Sequence, residues 1–268
     1  MTAKKGELVV VGTGISFGHL TMEAKAQIER ADIVLAAIPN GVMADYLLQL
    51  NPQTESLMSL YGDGRTRPQT YEAMTQRIID EVQAGKYVCT VFYGHPGVFV
   101  TPTHEAIRRL RALGYRARML PGISAEDCLF ADLGIDPSDN GCVSYEATAF
   151  LFSRRPIDPT VTMLLWQIGI VGECTLTEYA PGPNAMRVIQ NMLLTQFPPD
   201  HRLCIYEAAS IPGLPTRIDW FPLADLLSIA TKPYSTLLIP ALCLPEFASE
   251  RLAELGLSEQ DLAAFSPA

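Results

Sequence analysis

The chain has 268 residues, of which 48% are hydrophobic and 18% charged, with a formal net charge of -9. This composition supports a well-buried globular core and excludes a disordered chain. A polyphosphate partner wants a basic surface, so the acidic excess weighs against nucleic acid as a substrate.

The first half alternates strand and helix patterns. Leu8–Gly12 (LVVVG) reads as a buried strand, Thr21–Arg30 as a helix with Thr21 as its cap, and Ile33–Ile38 (IVLAAI) as a second buried strand. Continuous Val, Ile, Leu and Ala runs suit a parallel sheet covered on both faces. A helix near Val42–Leu50 follows, then a polar loop over Asn51–Pro68. The next helix runs from about Gln69 to Ala84 and stops at Gly85. Tyr87–Tyr93 is a third strand. Another helix starts near Thr101 or Thr103 with Pro102 in its first turn, and it ends at Gly114. Tyr115–Leu120 is a strand. Ser124 with Asp127 three residues on is close to a capping box, opening a helix that ends at Gly134.

Residues 153–160 carry two prolines and charges and mark a domain boundary, giving an N-terminal domain over 1–153 and a C-terminal one over 160–268. Beyond it come a strand (Val161–Ile168), a helix (about Asn184–Gln196), a strand (Leu203–Glu207) and a strand-helix-strand ending at Thr236–Ile239. A short helix and frayed end complete the chain. The architecture is two α/β domains in series, with the site expected in the cleft between them.

No segment reaches the apolar length of a membrane span, and Met1–Glu7 is too polar for a signal peptide. A cytoplasmic location is expected. The six cysteines are scattered singly, and nearly all of them read as small buried thiols. The four histidines do not pair at ligand spacing, so no metal site is expected. The arginine run Arg108, Arg109, Arg111, Arg116 and Arg118 reads as a solvated helix and strand face.

Gly12-Thr13-Gly14 with Gly18 is one residue longer than the dinucleotide fingerprint. Asp32 precedes the second strand, whereas a ribose-binding acid follows it. The glycines instead suggest a backbone passing close to a ligand or a strand. Three other segments are odd for a purely structural role. Tyr93–Phe99 (YGHPGVF) makes a tight loop at a strand's carboxyl end, where α/β proteins bind ligands; a plain strand-to-helix turn is the alternative. Pro121–Ala125 (PGISA) opens a helix with free N–H groups, or is a simple serine cap. In Tyr61–Tyr71 (YGDGRTRPQTY), Pro68 in the first turn leaves Arg67 at the cap, where a cation opposes the helix dipole. Tyr71 lies four residues on, so the two side chains can face one carbonyl or amide; a solvated arginine and a packing tyrosine are the alternative.

These motifs, together with GYRARMLPGISAEDCLFADLGIDPS and GCVSYEA, resemble the borosin peptide backbone α-N-methyltransferases, within the tetrapyrrole methylase-like superfamily. The resemblance covers roughly residues 7–245. It implies a two-domain tetrapyrrole methylase-like α/β fold with S-adenosylmethionine in the interdomain cleft and S-adenosylhomocysteine as product. The implied cofactor residues are Tyr93, His95, Val98, Phe99, Ser124, Ala125, Gln167, Ala208, Ser235 and Thr236. The implied catalytic residues are Arg67, Tyr71, Tyr61 and Tyr93. Met58 stands where the fungal pattern has a further tyrosine. The chain is similar to the split form, which acts on a separate precursor peptide, and the family implies a homodimer, or a heterotetramer with precursor. Under this reading Arg67 binds the amide oxygen and Tyr71, as a phenolate helped by that cation, takes the N–H proton. A tetrapyrrole methylase, an RNA-methylating relative and a non-catalytic peptide-binding scaffold are the alternatives.

Overall fold

In a computed structural model of the chain, residues 5–61, 65–174, 180–211, 213–258 and 260–261 are described. Gly62–Gly64 of the Tyr61–Tyr71 segment and the end of the tail lie outside them. The chain divides into two units, the first built from described residues up to Leu133 together with those in 208–216, the second from the other described residues.

The first unit holds β1 (Glu7–Gly12), α1 (Met22–Arg30), β2 (Ile33–Ala37), α2 (Gly41–Leu50), β3 (Thr54–Ser56), α3 (Arg67–Gln83), β4 (Tyr87–Phe92), α4 (Thr101–Ala112), β5 (Arg116–Met119) and α5 (Ala125–Leu133). Its five strands run in the order β3-β2-β4-β1-β5, every pair parallel. Alternate residues of the apolar runs face opposite layers. Leu8, Val10, Leu35 and Val88 meet Met74 and Ile78 of α3 and Leu110 of α4. Val9, Val11, Val34 and Val91 meet Ile28 of α1 and Leu47 of α2. Each such side chain taken out of water contributes about 1.5–3 kcal/mol, which is why both faces must be covered.

The two layers have a topological consequence. The β1-to-β2 connection passes through α1 on one face, and the β4-to-β5 connection through α4 on the other. Because β1 and β4 are neighbours, their carboxyl ends flank the point where the crossovers diverge, and α/β sheets bind ligands at such a point.

The second unit holds α6 (Pro137–Asn140), β6 (Cys142–Glu146), α7 (Ala147–Phe152), β7 (Thr162–Trp166), α8 (Ala185–Leu193), β8 (Arg202–Glu207), β9 (Arg217–Pro222), β10 (Thr236–Ile239) and α9 (Ser249–Glu254). Its sheet order is β6-β7-β10-β8-β9, with β6–β7 parallel and the other pairs antiparallel. Phe150, Ile189 and Leu193 pack on Leu165, Ile205 and Leu237 in its core. Residues 134–153, assigned from the sequence to the first domain, contribute β6 here, because Cys142–Glu146 pairs with Thr162–Trp166.

Local signals act as their chemistry requires. The Thr21 hydroxyl accepts from the Ala24 amide at 3.1 Å. The Ser124 amide and hydroxyl both donate to Asp127 at 2.6 Å, and the Asp127 amide donates back at 3.2 Å. The arginine run is engaged in contacts, Arg109 with Glu72 and Glu105, Arg108 with Glu105, and Arg111 with the Ala117 carbonyl. The segment expected to be a plain loop over Asn51–Pro68 contains β3 and a 3₁₀ turn at Leu57–Leu60.

Candidate active site

The carboxyl ends of β1 and β4 are stitched together. The Thr13 amide donates to the Phe92 carbonyl at 2.9 Å, and Gly14 and Gly94 exchange amide-to-carbonyl bonds at 3.0 and 3.2 Å. A Cβ on Gly12 would lie 2.1 Å from the Gly94 oxygen. Gly12 and the Gly14–Gly94 bridge are therefore explained by strand-to-strand approach, one of the two options the spacing left open.

The loop after Phe92 leaves Tyr93, Val98 and Phe99 exposed. His95 Nδ1 accepts from the Gly97 amide at 3.0 Å, which puts the proton of a neutral ring on Nε2. Below the loop, the Thr103 hydroxyl lies 2.8 Å from the Pro96 and Val100 carbonyls. Phe99 has φ +56, a left-handed conformation that a bulky side chain adopts only when its surroundings impose it. Ser124 and Ala125 sit half-buried where α5 begins, with the serine engaged as its cap.

Arg67 requires a correction. The helix is capped by Thr66, and Arg67 is its first residue, with Pro68 second. None of the first four amides of a helix has an intrahelical partner, so proline fits the second position as well as the first. The polar Thr66–Gln69 pair sets the start, the Thr66 amide donating to Gln69 Oε1 at 2.8 Å. One turn on, Arg67 Nε donates to the Tyr71 hydroxyl oxygen at 2.7 Å, and the guanidinium carbon lies 5.2 Å from the ring centroid. That bond occupies one of five guanidinium N–H groups. Tyr61 is exposed at the end of the Leu57–Leu60 turn, and Met58 is half-buried within that turn. The structure thus joins Arg67 to Tyr71 directly.

Within the second unit, Gln167 follows the last residue of β7 with φ +57. Thr236 is buried in β10, paired with Tyr206. Ser235 is 0% exposed and heavily engaged. Its hydroxyl donates to Glu207 at 2.7 Å and accepts from the Lys232 amide at 2.8 Å, its amide donates to the Lys232 carbonyl, and its carbonyl accepts from Ile168. Burial pushes the Glu207 carboxyl up, but the bonds from Lys232, Ser235 and Arg217 outweigh it and hold the group below the usual carboxylate range.

Sequence reasoning overlooked a pocket of about 510 Å³ in the first unit, lined in part by His19, Asp127, Cys128, Asp132, Ala208 and Thr216. Ala208 alone of the expected cofactor residues is on its wall. Tyr93 lines a smaller cavity with Thr13, Phe17 and Ile38. Burial first, then the Asp132 and Asp127 carboxylates, push the Cys128 thiol up to about 11. No signal in the sequence joined His19 to α5, because the contact depends on how the 3₁₀ turn Phe17–His19 folds over it. Among the described residues no group of three His, Cys, Asp or Glu could hold a metal ion.

The parallel sheet with a stitched switch point and loops at its carboxyl edge defines a ligand-binding α/β protein. The chain belongs to the tetrapyrrole (corrin/porphyrin) methylase family, whose model matches residues 7–213. It is 43% identical, over 83% of its length, to a protein of Coprinopsis marcescibilis named as a methyltransferase and ribosomally synthesized type I borosin cyclic peptide precursor. It is 40% identical, again over 83% of its length, to the methyltransferase and omphalotin A precursor of Omphalotus olearius. It covers 58% and 54% of those two proteins, so it spans just over half their length. Among solved structures, uroporphyrin-III C-methyltransferase of Thermus thermophilus aligns with a TM-score of 0.64 at 21% identity, over 91% of this chain and 99% of that one. A structure of such an enzyme complexed with S-adenosyl homocysteine aligns at 0.60 and 18% identity, over 88% and 97%.

Proposed function

We propose that the chain methylates backbone amide nitrogens of a ribosomally made peptide, supplied as a separate precursor, with S-adenosylmethionine as donor. The observation that carries the acceptor is the Arg67–Tyr71 pair on the first turn of α3. Relatives whose names join a methyltransferase to a cyclic peptide precursor support the same reading. For the donor site, the residues present fit. Among the described residues three non-glycines have positive φ, and two of them, Phe99 and Gln167, belong to the proposed cofactor set. Strained backbone of this kind persists where its surroundings impose it and clusters at ligand-binding sites. Phe99, Tyr93 and Val98 offer exposed apolar surface for an adenosine, and His95, Ser124, Ala125, Ala208 and Thr236 belong to the proposed set with them. Ser235, being heavily hydrogen-bonded, holds its turn in place and contacts the donor through no free donor group of its own.

An amide nitrogen is a poor nucleophile because its lone pair is delocalised into the carbonyl. Bound S-adenosylmethionine supplies an electrophilic methyl group on a sulfonium and leaves as S-adenosylhomocysteine. Arg67 donates to the amide oxygen and stabilises the negative charge that develops there. Tyr71, acting as a phenolate whose oxygen accepts from Arg67, takes the N–H proton and ends as the neutral phenol, leaving the nitrogen lone pair free for the methyl group that bound S-adenosylmethionine would supply. Tyr61 and Tyr93 orient the peptide.

The test is incubation with S-adenosylmethionine and a candidate precursor, read by mass spectrometry. Added 14-unit masses, about one methylene each, located on backbone nitrogen are expected. In Arg67→Ala the rate falls about a hundredfold or more with donor binding kept. Near-normal rates in that variant would remove the assignment. A tetrapyrrole acceptor is the second reading, favoured by the family model; methylation of a porphyrinoid and not of any peptide selects it.

A further inference from the structure

Glu207, which no part of the proposed chemistry uses, is the last residue of β8 and is 6% exposed. Its Oε1 accepts from the Ser235 hydroxyl and from Arg217 Nη1, each at 2.7 Å, and its Oε2 from Lys232 Nζ at 2.8 Å. The Ser235 hydroxyl also accepts from the Lys232 amide, so one carboxylate grips both ends of the Lys232–Ser235 turn. That turn in turn binds the end of β7. The Ile168 amide donates to the Ser235 carbonyl at 3.0 Å, and a Cβ on Gly169 would lie 1.9 Å from the Lys232 carbonyl oxygen. The left-handed Gln167 is the residue immediately before this contact.

Glu207, at the end of β8 that continues into Ala208, thus bonds directly to Arg217 of β9 and to the turn that enters β10 through Ser235 and Thr236, and it reaches the turn that follows Gln167 only through that second contact. A buried, paired charge is weak support for stability, since apolar residues of similar volume often replace one at no loss. What such a carboxylate does provide here is registry, through directional bonds to the Lys232–Ser235 turn and to Arg217 of β9. We propose that Glu207 is the positioning residue of the donor site, acting through Ser235 to set Gln167, Ala208 and Thr236 in place. This rests on the donor reading given above.

The experiment compares the wild type with Glu207→Gln, Ser235→Ala and the control Glu105→Gln, a surface carboxylate on α4 paired with Arg108 and Arg109. Calorimetric titration with S-adenosylhomocysteine and methylation kinetics are read alongside circular dichroism. The expected result is a Kd weaker by about tenfold or more in Glu207→Gln and several-fold in Ser235→Ala, with the control unchanged. The KM for the donor rises in step, while kcat at saturating donor stays within about threefold, a split that general loosening would not produce. Affinity within twofold of wild type in a folded Glu207→Gln overturns the proposal. If that variant does not fold, a Ser235→Ala protein that binds like the wild type overturns it instead. A wild-type chain that binds no S-adenosylhomocysteine overturns the donor reading and this inference together; normal wild-type binding with an indifferent Glu207→Gln overturns this inference alone.

Discussion

Gln167 shows how a residue's backbone can conflict with its side-chain type. A left-handed conformation costs a non-glycine residue about 1–2 kcal/mol, and Gln167 adopts it just after β7. Gln167→Gly removes that strain, so its melting temperature is expected to match or exceed the wild type's while affinity for S-adenosylhomocysteine falls. A variant that binds normally would leave the strain without a role. Tyr71→Phe removes only the oxygen that accepts from Arg67, and turnover is expected to fall about a hundredfold or more with the fold intact. The Glu207 carboxyl is held below its ordinary value, so its contribution is fully present above the unfolded pKa of about 4.3 and is lost as pH falls through the lower folded value. In urea unfolding, the stability gap between wild type and Glu207→Gln is therefore expected to persist at neutral pH and to close as the pH falls below the unfolded value and through the lower folded one. The thiols follow burial: exposed Cys174 and Cys243 are expected to alkylate at pH 7.5 well before Cys128, and buried Cys89 and Cys204 last, as followed by mass spectrometry.

At the scale of elements, two glycines of one motif separate cleanly. A Cβ on Gly12 would meet the Gly94 oxygen at 2.1 Å, whereas one on Gly18 would meet nothing within 4 Å. Gly12→Ala must push two strand ends apart and is expected to destabilise by about 1–3 kcal/mol in denaturant unfolding, with Gly18→Ala within about 0.5 kcal/mol of wild type. The same elements show what was legible beforehand. The central strands β1, β2 and β4 are continuous apolar runs because both faces are buried, so they stand out in the sequence. The strands that escaped, β3 and β6, are sheet edges with exposed polar residues such as Glu55 and Ser144, and an edge lacks that run. The cap of α3 was misread by one residue, since Pro68 is compatible with either of the first two positions.

At the scale of the whole molecule, the family match over residues 7–213 establishes the fold, and the acceptor and assembly are proposals. A homodimer, becoming a heterotetramer with precursor, is expected to appear in light scattering as twice the chain mass, rising on addition of the peptide; a single-chain mass under both conditions rejects it. Among the described residues no helix is long and apolar enough to cross a membrane. The two-sheet α/β class, the strand-end loops and the pairing of Arg67 with Tyr71 were readable in the chain, because each depends on residues close in sequence: continuous apolar runs, a glycine-proline turn, one helical turn between two side chains. Glu207 with Ser235, Lys232 and Arg217, the Gly12–Gly94 contact and the pocket walled by His19, Cys128 and Ala208 were decided only by tertiary structure. Their partners lie tens to more than a hundred residues apart. No local pattern records which distant carboxylate, carbonyl or imidazole will meet, since sheet order and crossover direction bring them together.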